Sequence, residues 1–235
     1  MGVHAEWKVL PHGPIERLAD NLLRVRGELA RMPIGRVMTL ARRSDGTVVI
    51  HNPIALEEPL MAEIEAWGRP GIIVVPNRFH RLDAPVFAAR YPDARVLCPA
   101  RARRKVAQVV RVDGHYGDYQ GDPDVSLVHL DGTRDREGVL EVRSADGTSV
   151  IVNDVLFNLP RMRGLFGLAF RLDGATGRPR VPRASRLLLV GDRAAFRAHL
   201  ERLAARPDLR RVIVSHGDML VDDAAAALRA AAAEL

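Results

Sequence analysis

The chain has 235 residues, of which 47% are apolar and 27% charged, with one cysteine and a formal net charge of +6. That balance belongs to a globular chain able to bury a full core, and it excludes a disordered segment, a disulfide framework and a cluster of thiolate metal ligands. Lys8 and Lys105 are the only lysines and aromatic residues make up 5%, so the positive charge is almost all arginine and stacking platforms are scarce; nucleic acid is not an expected partner.

In chain order, Trp7 to Leu10 reads as a short strand. Leu22 to Leu29 alternates well enough for an edge strand, while Ile15 to Ala19 could start a helix. Gly35 to Arg42 and Thr47 to His51 flank Ser44-Asp45-Gly46, and Asp-Gly between two β-rich runs predicts a hairpin. Ile54 to Trp67 reads as a helix with Glu57, Glu58 and Pro59 in its first turn, where acids and proline belong.

Ile72-Ile73-Val74-Val75 is an unalternating β-branched run, expected as a strand buried on both faces and stopped by Pro76-Asn77. His80 follows at once. A helix over Ala84 to Tyr91 and a strand over Arg95 to Cys98 complete a βαβ unit, in which functional groups sit beyond the carboxyl end of the strand. Cys98, inside an apolar strand, is inert packing. Arg101 to Lys105 is a basic run read as a solvated face, and Gly114 to Asp124 reads as a loop.

Strands are expected at Val125 to Leu130, Gly138 to Val142 and Ser149 to Val155, the last two joined by a second hairpin turn at Ser144-Ala145-Asp146-Gly147. Residues 156–186 carry Arg161, Arg163, Arg171, Arg178, Arg180 and further arginines against one acid, Asp173. Apolar residues such as Leu165, Phe166 and Phe170 lie between them. This insertion is read as a lid over a pocket, ahead of a membrane-surface helix or a partner face. A strand near Leu187 to Val190, a helix from Arg193 to Arg206, a strand at Val212 to Val214 and a helix from Asp222 to Glu234 close the chain. No apolar run approaches the ~18 residues of a membrane span, and Met1-Gly2-Val3-His4 lacks the basic-then-apolar order of a signal peptide, so a cytoplasmic protein with one domain over 1–235 is expected.

His80, Asp154 and His216 each lie just past the end of an apolar strand. Imidazole plus carboxylate suits zinc, iron or manganese, and three protein ligands with an open position is the catalytic arrangement.

The order of these residues along the chain resembles the metallo-β-lactamase superfamily. The resemblance spans nearly the whole sequence: paired N-terminal strands, the strand-loop-helix ending in Tyr91-Pro92-Asp93-Ala94, then Val152-Asn153-Asp154-Val155-Leu156-Phe157, then Val214-Ser215-His216-Gly217-Asp218 before a helix. It implies an α/β fold, a metallo-β-lactamase-like αββα four-layer sandwich with mixed sheets. In that superfamily the first motif reads His-x-His-x-Asp-His, a later strand ends in Gly-Asp-x-Leu-Phe, and the last ligand is the His of a small-His-Gly loop.

Carried over residue by residue, His80 matches the final His of the first motif, while Val75, Asn77 and Phe79 stand where two His and the Asp belong. Residues 131–137, where another His is expected, contain none. Asp154 matches the bridging Asp and His216 the last His. The first metal site is therefore missing and the second keeps three ligands, as in a divergent branch with Pro-Asn-x-x-His in place of the usual motif. His51 stands where relatives often have an Asp that supports the ligands. Asn77, Asn153 and Asn158 are expected near the same mouth, binding substrate or bridging to a structural water.

The resemblance thus implies a mononuclear metal-dependent hydrolase with one zinc (or iron or manganese) ion on His80, Asp154 and His216. His80 and Asp154 would be catalytic, and the substrate a small ester, lactone or phosphoester. An arginine-rich segment beside the mouth suits an anionic one. The alternative, from a different class, is a binding or scaffold protein that keeps the fold without metal.

Overall fold

The computed structural model describes residues 3–30 and 32–235. The described residues form a first sheet of β1 (Glu16–Ala19), β2 (Leu22–Leu29), β3 (Met32–Arg42), β4 (Thr47–His51), β5 (Arg69–Val74), β6 (Arg95–Cys98) and β7 (Gly114–His115), ordered as in the chain. The second sheet holds β8 (Val125–His129), β9 (Gly138–Ser144), β10 (Gly147–Val152) and β11 (Leu209–Val214) in the order β11-β10-β9-β8. Both sheets are mixed: β4 to β7 run parallel in the first, β10 and β11 in the second, and the other pairs are antiparallel. The helices are α1 (Glu58–Trp67), α2 (Ala84–Arg90), α3 (Arg103–Val106), α4 (Gly164–Asp173), α5 (Arg183–Leu188), α6 (Arg193–Ala204) and α7 (Ala224–Ala233).

The period-2 geometry of a strand sorts its residues between layers. Leu23, Met38, Val48, Ile50 and Ile73 point to one side of the first sheet and pack with Met61, Ile64 and Phe87 of α1 and α2. Their neighbours Leu22, Val37, Val49, Ile72 and Val74 point the other way and meet Leu127, Leu140, Ile151 and Ile213 of the second sheet. Val150, Val152, Val212 and Val214 face outward onto Phe196 and Leu200 of α6 and Leu228 of α7. Three apolar layers thus separate helices, sheet, sheet and helices, the αββα sandwich. Each fully buried aliphatic side chain contributes about 1.5–3 kcal/mol, so the layers need no disulfide or metal.

Several elements differ from the sequence reading. β2 is an inner strand, because Glu16–Ala19 pairs with it as the edge instead of starting a helix. Trp7 to Leu10 is not a strand; Trp7 stacks on Phe87 with ring centroids 5.1 Å apart. The helix expected from Ile54 begins at Glu58, after Ile54, Ala55 and Leu56 have entered the core as an extended segment. The strand expected at Leu187 to Val190 is the end of α5 and the turn after it. Its leucine run is amphipathic, with Leu187 and Leu188 exposed and Leu189 and Val190 buried. Gly114 to Asp124 is mostly loop but supplies β7.

Candidate metal centre

Two parallel strand pairs, one in each sheet, present their carboxyl ends at the same edge of the sandwich. β4 and β5 end in register at His51 and Val74, and β10 and β11 at Val152 and Val214. The residues just beyond these four ends build the site: Asn52, Asn77 to His80, Asn153 and Asp154, and Ser215 and His216. This is the position where parallel sheets offer loop groups to a ligand. Gly217 turns the last loop back with φ +108, and a Cβ there would lie 2.0 Å from the Asn158 carbonyl oxygen, so the small-His-Gly sequence is a backbone requirement.

His80, Asp154 and His216 converge, with one ligand atom from each lying within 4.8 Å of the others. His80 Nε2 is 2.9 Å and His216 Nε2 is 3.2 Å from the same oxygen, Asp154 Oδ1. A tetrahedral ion with bonds of about 2.0–2.2 Å sets its donors roughly 3.4 Å apart, close to this spacing.

The hydrogen bonds behind the ligands fix which nitrogen faces inward. His216 Nδ1 donates to the Gly35 carbonyl at 2.7 Å. Asn52 Nδ2 donates to the Val37 carbonyl at 2.7 Å and to Ser215 Oγ at 3.1 Å, which leaves Asn52 Oδ1 to accept from His80 Nδ1 at 3.0 Å. With both Nδ1 atoms protonated, neutral rings turn two Nε2 lone pairs toward a carboxylate oxygen. Three acceptors facing one another without a hydrogen between them repel, and a single cation satisfies all three.

Asp154 is itself held in place. Its Oδ2 accepts from Asn77 Nδ2 at 3.0 Å, and the same amide donates to Glu137 Oε2 at 2.9 Å. Glu137 is fully buried and accepts three backbone N–H groups, from Asn153 at 3.0 Å, Asp154 at 3.0 Å and Val155 at 3.2 Å. One carboxylate thus clamps the loop that carries Asp154. Burial works to raise the Asp154 carboxyl; positive charge at His80 and His216, with hydrogen bonds from them, would outweigh it and hold the group well below the usual carboxylate range, and a bound cation supplies that charge when the rings are neutral. Burial, and then the Asp154 charge, push the Glu137 carboxyl upward, against the pull of its donors.

The neutral polar residues expected at the mouth are placed elsewhere. Asn77 is buried beneath Asp154, and its Oδ1 accepts from the Phe79 N–H at 2.8 Å. Asn153 is buried, with its Oδ1 accepting from Ser215 Oγ. Asn158 ties the His216 loop, donating through Nδ2 to the Asp218 carbonyl at 2.8 Å. His51 is enclosed between the sheets, and neither ring nitrogen has a partner among the described residues. The residue that supports His80 is its neighbour Asn52, whose φ of 58° turns it out of β4 toward the site. Asn52 and Glu137 were missed by the sequence reading. Asparagine tolerates the left-handed region, so Asn52-Pro53 at a strand end was a usable signal. Nothing local separates Glu137 from the acids around it.

Two outcomes follow from these contacts. Asn52→Ala should weaken zinc binding about 10–100-fold while leaving the ligands in place, as is usual when the outer partner of a ligating histidine is lost; competition with a chromophoric chelator reads this directly. His51 is pushed from its ordinary 6.5 down to about 3, first by burial and then by the charge of His80. The unfolded chain takes up a proton on His51 that the folded chain refuses, so stability falls as pH drops below 6.5 and continues to fall toward 3. Between pH 6 and pH 4 the loss is roughly 2 kcal/mol. His51→Phe should flatten that slope in urea unfolding across the same range, and an unchanged slope would place the titration elsewhere.

A cavity of about 250 Å³ opens over His80, Asp154 and His216. Residues 156–186 supply part of its wall through Phe157, Phe170, Asp173, Ala184 and Ser185. Among the described residues none of this segment's arginines lines it. Arg178, Arg180 and Arg186 turn instead to Glu234 behind α7. The arginine in the wall is Arg36, paired with Asp83 at 2.6 Å.

No protein-family model matches the chain, and no curated protein sequence matches it significantly. Solved structures do. A metallo-β-lactamase from Erythrobacter litoralis with β-mercaptoethanol in its active site aligns with TM-score 0.61 at 15% identity, covering 97% of this chain and 100% of the other. The metallo-β-lactamase FIM-1 from Pseudomonas aeruginosa, in its mono-zinc form, aligns with TM-score 0.60 at 14% identity over 97% of each chain. A metallo-β-lactamase from Hirschia baltica gives TM-score 0.59 at 13% identity, over 94% and 98%. The chain therefore has the metallo-β-lactamase fold. None of its helices is long and apolar enough to cross a membrane, among the described residues.

Proposed function

We propose that the protein is a mononuclear metal-dependent hydrolase of an ester, lactone or phosphoester type substrate, with the ion held by His80, Asp154 and His216. The observation that carries this reading is the convergence of three acceptor atoms, two of them fixed by Nδ1 hydrogen bonds behind the rings. When bound, an ion such as zinc supplies Lewis acidity and an acidified water. The protein's own part is positional. Asn52 and the Gly35 carbonyl aim the histidines, Asn77 occupies Asp154 Oδ2 so that Oδ1 is left for the ion, and the open side faces the cavity. Asn77 and Glu137, in the stretches where the resemblance expects further ligands, are hydrogen-bonded to each other and to the Asp154 loop, which favours one ion over two.

Zinc-loaded protein should turn over at least one member of an ester, lactone and phosphoester panel, with a rate that follows zinc occupancy and vanishes in His216→Ala. Turnover indifferent to zinc, or none on any class at full zinc occupancy, would overturn the reading.

A further inference from the structure

The wall of the cavity carries information about what fills it. Leu29, Met32, Ile34, Phe79, Phe170 and Leu188 come from β2, β3, the loop after β5, α4 and α5, and all turn apolar surface inward. Apart from the three ligands, the polar side chains in the wall spend most of their hydrogen-bonding atoms on the protein itself. Asn52 donates to Val37 and Ser215, and Ser185 Oγ donates to the Asp154 carbonyl. Asp173 accepts from the Ala184 N–H at 2.8 Å. Arg36 donates to Asp83 at 2.6 Å and to the Pro53 carbonyl at 3.4 Å, leaving its buried Nε without a partner. A sugar, nucleotide or peptide would lose its hydration here and find few groups to replace it.

We infer that the cavity holds an unbranched aliphatic chain, and that the substrate is an ester or thioester of a medium-chain fatty acid, its carbonyl placed at His80, Asp154 and His216. A cavity of about 250 Å³ suits a chain of medium length, on the order of eight carbons. The reaction assigned to the chain rests on the hydrolase reading; the chain-binding cavity stands on its walls alone.

The test is calorimetric titration of butanoate, hexanoate, octanoate and decanoate into zinc-loaded and metal-free protein. Affinity should rise about fourfold per methylene up to octanoate, from about 0.8 kcal/mol for each buried CH₂, and then level off. Leu188 lines the cavity yet is 41% exposed, so Leu188→Asp can fold; it should weaken octanoate binding by more than tenfold. Leu165, on α4 with Phe170 but 86% exposed and outside the lining, is the control, and Leu165→Asp should change binding by less than twofold. Affinity independent of chain length, or equal losses in the two variants, would overturn the inference. A chain-length slope in protein that takes up no zinc would uphold the cavity and remove the metal reading. Stoichiometric zinc without the slope would do the reverse.

Discussion

Asp154→Asn is expected to raise the melting temperature of the metal-free protein by a few degrees and to abolish the further rise that zinc produces. The sign follows from the geometry. In the native site Asp154 Oδ1 faces two Nε2 atoms at 2.9 and 3.2 Å whose partner nitrogens already carry the protons. An asparagine keeps an oxygen for Asn77 and turns an N–H toward the histidines, replacing an acceptor conflict by a hydrogen bond. Relief of about 1 kcal/mol corresponds to roughly 2–4 °C in a chain of this size. The amide is also a poor metal ligand, so zinc affinity should fall by more than the 10–100-fold expected when an outer partner is lost. Calorimetric scans with and without zinc separate the two effects. A variant that is less stable without metal would show that Asp154 pairs with imidazolium, and the argument for a cation would fail.

Glu137→Ala should be the most destabilising single substitution near the site. It leaves three buried backbone N–H groups and the Asn77 amide without their acceptor. At about 1–3 kcal/mol for each unsatisfied group, with some relief from relaxation, a loss of roughly 3–5 kcal/mol is expected in urea unfolding. Glu137→Gln should recover only part of this, because one of its two terminal atoms donates where an acceptor is needed. A cost under about 1 kcal/mol would mean that the Asp154 loop is held by other contacts.

Much of this arrangement was legible in the sequence because it depends on strand ends. His80, Asp154 and His216 follow unalternating apolar runs, and a residue just past such a run lies at the sheet edge whatever its neighbours are. The four layers were legible through the resemblance and through the strand patterns. The partners that hydrogen-bond the ligands from behind were not legible, because they depend on φ and on packing across the two sheets. His51 and Asn52 are adjacent, and a left-handed turn at Asn52 decides that the amide reaches His80 while the imidazole is sealed inside. Asn77 looked like a group at the mouth, but Asp154 and Glu137 both draw its amide inward. The arginines of residues 156–186 suggested an anionic ligand; three of them meet Glu234, which lies far along the chain, and this long-range pairing has no local signature. The strand expected at Leu187 to Val190 failed for a related reason, since a short leucine run fits a helix end as well as a strand.

One ion on three ligands is a stoichiometry, and elemental analysis of untagged protein purified without chelator and dialysed against zinc measures it. About one zinc per chain is expected, falling below a tenth in a His80→Ala, His216→Ala double variant. Two zinc ions per chain, or none after zinc is supplied, would contradict it.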